Sequence, residues 1–152
     1  MPWPHVVGVA FDGSPEARAA VDVAAELGLA TGAALRLIGV AEPPPRPTAG
    51  LSAVYLPASD GECREALRRD LETVAEALPA ALRTQVVLVA GDAATQLIDQ
   101  AGALSLLVMG SRGFGPVLRA LLGSVSAQIL HAAPCPVLVV PPAAAKAHRR
   151  AA

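Results

Sequence analysis

The residues best suited to chemistry lie in a glycine-rich run, Gly110 to Ser124 (GSRGFGPVLRALLGS), where Gly110, Gly113, Gly115 and Gly123 carry no side chain. Backbone N–H groups without side chains can approach an anion closely, and a helix capped by Ser124 would turn the positive end of its dipole towards it. That is the chemistry of a phosphate cradle. Arg112 and Arg119 add mobile positive charge around it. Hydrogen bonds to charged groups contribute about 1.5 to 3 kcal/mol each, against an association cost of about 4 to 15 kcal/mol. A handful of them together with a buried base reaches micromolar affinity, about −8 kcal/mol.

A second loop, Asp12-Gly13-Ser14-Pro15, offers different groups. Asp12 can accept from a ribose hydroxyl or an adenine amine, and Ser14 can face phosphate or a magnesium ion. The same four residues also read as an Asp-Gly turn followed by a Ser-Pro helix start, which needs no ligand. Other nucleotide motifs fail. A Walker loop needs GxxxxGK[ST], yet the single lysine is Lys146; the Rossmann fingerprint needs GxGxxG after the first strand, whereas this run is GxxGxG after the fourth. No Ser/His/Asp or Cys/His constellation emerges, so no catalytic residue is assigned. His131 reads as a cation at a helix C-terminus. Cys63 and Cys135 lie far apart and outside any CxxC or Cys/His cluster, which excludes a zinc site or a disulfide framework; Cys135 reads as a small apolar residue.

Such loops need a scaffold to present them. Apolar runs of strand length recur at His5 to Phe11, Ala34 to Val40, Gln85 to Ala90, Leu104 to Met109 and Cys135 to Val140. Most are continuous rather than alternating, as in parallel strands covered on both faces. Helical patterns fill the intervals. Ser14 is an N-cap with Pro15 at the first helical position, and Ala17, Ala20, Val21 and Ala24 share a side until Gly32. Leu67, Leu71, Val74 and Leu78 form the next stripe, with Glu65, Arg68, Arg69, Glu72 and Glu76 left to solvent and Pro79 as the stop. Shorter helices open at Asp92 and Ser124. This order requires a parallel sheet with right-handed crossovers, a single doubly wound, Rossmann-like α/β domain with helices on both faces. Ligands of such sheets sit beyond the carboxyl ends of the strands, where strand order reverses. Pro136 marks the last strand as an edge, and VLVV at Val137 to Val140 is an apolar edge that must be covered.

Length and composition agree with that scaffold. The 152 residues are 53% hydrophobic and 16% charged, which excludes a disordered chain. At this size about two-thirds of the unfolded surface is buried without a staple. The net charge of −1 provides no field for nucleic acid or an anionic membrane, and one Trp, one Tyr and two Phe provide no base-stacking platform. No apolar run approaches the ~20 residues of a membrane span, and no secretory leader is apparent, so the expected location is cytoplasmic. Ala41 to Ser59 is a proline-rich connection, read as a surface loop with a binding loop as the alternative.

Three stretches, VVGVAFDGSP, GDAATQLIDQA and LLVMGSRGFGPVLRALLGSVSAQILHAAPCPVLVV, together resemble the universal stress protein family in its ATP-binding branch. Gly110, two residues, Gly113, nine residues, Gly123 and Ser124 match that branch's G-x2-G-x9-G-[S/T] pattern. The resemblance implies a domain over 1–142, a flexible tail over 143–152 and a five-stranded sheet ordered 3-2-1-4-5. It implies adenosine contacts at Asp12 and Val40 and phosphate contacts at Gly110, Arg112, Gly113, Gly123, Ser124 and Val125, with Ser14 and Met109 in the same nucleotide site. The implied cofactor is ATP with Mg2+, and no protein ligands to a resident metal are assigned. The implied assembly is a homodimer through the Val137 to Val140 edge strand. Departures from the pattern are Ser105 and Ala93, where family members often carry Asp and Pro, and the bulky Phe114, which would narrow the mouth of the loop.

The function implied is a nucleotide-dependent stress-response or signalling module whose protein partners the sequence does not name. Two alternatives stand beside it. One is a slow Mg-dependent ATPase or self-phosphorylating enzyme, disfavoured by the lack of a general base; the other is a nucleotide-free dimeric scaffold, disfavoured by the intact glycine pattern.

Overall fold

In the computed structural model, the five apolar runs become β1 (Val6–Phe11), β2 (Ala34–Ala41), β3 (Thr84–Ala90), β4 (Leu106–Gly110) and β5 (Val137–Val140). Between them lie α1 (Pro15–Thr31), α2 (Asp60–Ala77), α3 (Ala93–Ala101) and α4 (Ser124–Ala132). The structure describes residues 3–43, 60–111 and 123–141. Most of the proline-rich connection, the interior of the glycine-rich run and the C-terminal tail fall outside them.

All strand pairs are parallel, in the order β3-β2-β1-β4-β5. Parallel neighbours cannot be joined by a tight turn, so each connection is a helical crossover. The continuous apolar runs have the cause expected of them, a cover on each face. Val7, Val9, Phe11, Leu35, Leu37 and Val108 pack with Ala17, Ala20, Val21 and Ala24 of α1 and Leu71 of α2. On the other face, Ala10, Ile38, Val40, Leu107 and Met109 pack with Ala93 and Leu97 of α3 and Ile129 of α4. The small residues of α1 let its backbone lie close to the sheet; Ala19, Ala25 and Gly28 are buried along with the expected four.

Helix ends follow local chemistry. The Ser14 hydroxyl accepts from the amide of Ala17 at 3.1 Å, and Gly32 closes α1 in the left-handed conformation at φ 77°. Helix α2 ends just before Pro79, with Glu65, Arg68, Arg69 and Glu72 linked along its solvent face. Two strands start later than their apolar runs. The Ser105 hydroxyl accepts from the amides of His5 (3.0 Å) and Val6 (3.3 Å), so a side chain occupies the place where β4 would begin. Pro136 has no N–H to offer, so only its carbonyl serves the sheet, accepting from Leu107 at 3.0 Å. The Pro136 reading is met: β5 is an edge strand, with β3 at the opposite edge.

Among the described residues, no helix is long and apolar enough to cross a membrane.

Candidate functional site

Strand order reverses between β1 and β4, so the loops that follow these two strands flank one crevice at their carboxyl ends. On the β1 side, the amide of Ser14 donates to Asp12 Oδ1 at 2.9 Å across Gly13. Gly13 has φ +83°, a conformation that side-chain-bearing residues rarely adopt, and a Cβ there would also meet Asp70 Oδ2 at 3.4 Å. Asp12 and Ser14 are half-buried. Each spends one acceptor on the local turn: Asp12 Oδ1 takes the Ser14 amide and Ser14 Oγ takes the Ala17 amide. The ligand-free description of this loop therefore accounts for its shape, while the second carboxylate oxygen of Asp12 remains for a ligand.

On the β4 side, the strand ends at Met109 and Gly110. Met109 is buried in the core, so only its main chain can reach the crevice; Val40, at the end of β2, is placed the same way, with its side chain under α3. Gly110 pairs with Val140 and is half-buried. The chain returns to the crevice at Gly123, whose amide donates to Ser111 O at 2.9 Å.

Gly123, not Ser124, is the N-cap of α4. This corrects the expected Ser124 cap. The amide of Gly123 is bonded to Ser111 O, which holds it just outside the helix in an extended conformation (φ −69°, ψ 162°) and leaves Ser124 as the first helical residue. The consequence is chemical. Helices α1 and α3 have side-chain caps, from Ser14 and Asp92, and Glu42 Oε1 also accepts from the Ala93 amide of α3 at 3.2 Å. Among the described residues, no side chain caps α4. Its first turn, Ser124-Val125-Ser126, therefore offers its orphan N–H groups and the positive end of the helix dipole to whatever enters the crevice.

Two further hydroxyls belong to this corner and were not singled out by sequence reasoning. Ser126 Oγ donates to Gly110 O at 3.3 Å and lies 3.5 Å from Ser111 O, tying the first turn of α4 to the end of β4. Ser111 is 3% exposed, and its Oγ finds no hydrogen-bond partner among the described residues. An orphaned buried hydroxyl costs about 1 to 3 kcal/mol. Ser111 directly follows Gly110 in the sequence, and its position beside the glycine is the one signal of it there.

Arg112 and Gly113, both expected at the phosphates, lie outside the described residues, as do Phe114 and Arg119. The structure thus brings together Asp12, Ser14, Val40, Met109, Gly110, Gly123, Ser124 and Val125 around the carboxyl ends of β1, β2 and β4. Elsewhere, His131 lies exposed in the last turn of α4, and burial pushes the Cys135 thiol up, away from the reactive thiolate. Among the described residues, no group of three His, Cys, Asp or Glu is placed to hold a metal.

Known proteins share this fold. A universal stress protein of Thermus aquaticus is 36% identical over 140 residues, covering 87% of this chain and 95% of its own. The universal stress protein UspA from Lactobacillus plantarum has the same fold at TM-score 0.68 and 23% identity, over 92% of this chain and 99% of its own. A universal stress protein solved in complex with cAMP is similar at TM-score 0.63 and 27% identity, over 90% of this chain and 96% of its own. The sequence model of the universal stress protein family matches residues 5–141, and this chain belongs to that family.

Proposed function

We propose that this protein is an ATP-binding universal stress protein that works as a homodimeric, nucleotide-dependent stress-response or signalling module. The observation that carries the reading is the open end of α4. A helix that no side chain of the described residues caps begins at a glycine beside the end of β4, at the sheet's reversal point, next to a buried hydroxyl with no partner among those residues. Helix N-termini with exposed amides bind phosphate. The relative solved with cAMP, at 27% identity, supports a nucleotide as the ligand class.

In this reading the N–H groups of Ser124 and Val125 hold phosphate oxygens, with Gly110, Arg112, Gly113 and Gly123 completing the enclosure. The main chains of Val40 and Met109 and the carboxylate of Asp12 receive the adenosine. The residues present fit such a ligand, because glycine at 123 leaves the approach open and the α4 amides are not spent on a side chain. Magnesium accompanying the phosphates would meet Asp12 or Ser14 and would neutralise phosphate charge.

The test is direct. Protein purified without added nucleotide, denatured and run on an anion exchanger should release adenine nucleotide in proportion to protein. A persistently empty protein that also ignores added ATP would overturn the reading.

The homodimer is proposed through β5, a four-residue edge strand whose Leu138 is 38% exposed. Pairing with a two-fold mate would satisfy its outer backbone groups and cover that leucine.

A further inference from the structure

A cavity of about 600 Å³ opens between α1 and α2, reaching at one end to Pro15 at the start of α1. Its volume falls within the roughly 300 to 1,000 Å³ of small-molecule sites. The α2 wall is apolar, formed by Val74, Ala77 and Leu78; the α1 wall presents Arg18 and Asp22 around Ala19.

Opposite charges four residues apart on a helix ordinarily close on each other. Here they do not: the ion pairs among the described residues lie on α2. Two causes act together. The guanidinium carbon of Arg18 stands 5.6 Å from the centroid of the Phe11 ring at the end of β1, a cation–π contact that draws it away from Asp22. The order, base before acid along the helix, is also the weaker one. One wall therefore offers a cation and an anion separately, one helical turn apart, facing an apolar wall.

We propose that this groove binds a free α-amino acid with an apolar side chain. Its carboxylate meets Arg18, its ammonium meets Asp22, and its side chain lies against Val74, Ala77 and Leu78. An amino-acid head carries its two charges about 3 Å apart. With a charge-assisted bond of about 2.8 Å at each end, it bridges about 8.6 Å between the charged atoms of two side chains rooted about 5 to 6 Å apart. A simple anion would face Asp22 and a simple amine would face Arg18, each with like charge. The zwitterion answers both, and its head is neutral, as the wall is. The site adjoins the nucleotide crevice at Pro15 but uses other residues, and the inference does not rest on nucleotide binding.

The experiment titrates the full-length 15N-labelled protein with L-phenylalanine, N-acetyl-L-phenylalanine and L-phenylalaninamide. L-phenylalanine should shift the amides of Ala19, Val74 and Leu78 saturably, with a dissociation constant of about 1 mM or below. Each blocked form should bind at least about tenfold more weakly, because it leaves one charge of the wall unanswered. Asp22→Asn should weaken L-phenylalanine about tenfold while the N-acetyl form, relieved of a like charge, binds no more weakly than before. Ala77→Trp, at an exposed position, should fill the groove and abolish the shifts. Unchanged amide shifts on α3 and α4 would show that the variants are folded, and the three ligands on the unsubstituted protein decide the matter if they are not. No saturable shift by about 10 mM, or equal binding of all three ligands, would overturn the proposal.

Discussion

At Gly123 the backbone is extended, and an added Cβ would meet Ser111 O at 3.5 Å, an ordinary contact. A side chain there is compatible with the fold but crowds the mouth of α4. Gly123→Val should therefore lower ATP affinity at least about tenfold, or about 1.4 kcal/mol, while the urea midpoint stays close to that of the unsubstituted protein; unchanged affinity would remove the phosphates from this corner. Ser111 makes the opposite prediction for stability. Replacing a buried hydroxyl that has no partner among the described residues relieves a cost of about 1 to 3 kcal/mol rather than adding one. Ser111→Ala should leave the empty protein as stable or more so, and a loss above about 1 kcal/mol in denaturant unfolding would show a partner for the hydroxyl. Residues that act through main chain, such as Gly110 and Gly123, were legible in the sequence because glycine advertises a bare backbone. Ser126 and Glu42 were not, because each acts on a group brought near only by folding, Glu42 across 51 positions to Ala93, and the burial of the Ser111 hydroxyl likewise exists only in the fold.

At the scale of elements, α2 shows what periodicity can and cannot convey. The Leu67, Leu71, Val74 and Leu78 stripe identified both the helix and its buried side, with Leu71 fully buried. The solvent-face charges were also legible, and they form a ladder in which Arg68 joins Glu65 and Glu72 while Arg69 joins Glu65. The hydrogen bond from Arg68, more than any other cause, holds the Glu65 carboxyl down at about 2 against an ordinary 4.5. A depressed carboxylate stabilises the fold above its unfolded value, and that contribution is lost as pH falls from 4.5 through about 2. The group is exposed, so salt should screen the effect. NMR titration of the Glu65 side chain should give a midpoint well below that of an isolated glutamate, rising with added salt; an ordinary midpoint at low salt would mean the ladder does not form in solution. Strand starts were less legible. A run such as Leu104-Ser105-Leu106 looks continuous, whereas the Ser105 hydroxyl takes the amides of His5 and Val6 and delays β4.

For the whole molecule, the order of strands and helices in the sequence required a doubly wound parallel sheet, but the order 3-2-1-4-5 came only with the family resemblance, since crossover rules alone allow other arrangements. That order puts β5 at an edge and the first turn of α4 at the reversal point, so the proposed assembly and the proposed ligand site would both follow from one topology. Leu138→Lys should convert the proposed homodimer to monomer in light scattering without changing the helical circular dichroism signal, because a charge on the exposed face of an edge strand opposes pairing; a persisting dimer would place the interface elsewhere, and an unsubstituted protein that is monomeric would remove it. The account rests above all on the first turn of α4 gripping phosphate. Titration of the 15N-labelled protein with Mg-ATP should move the amide resonances of Ser124, Val125 and Ser126 downfield and to saturation, in step with binding measured by calorimetry. Saturable heat with those three resonances unmoved, or no binding at all, would contradict it.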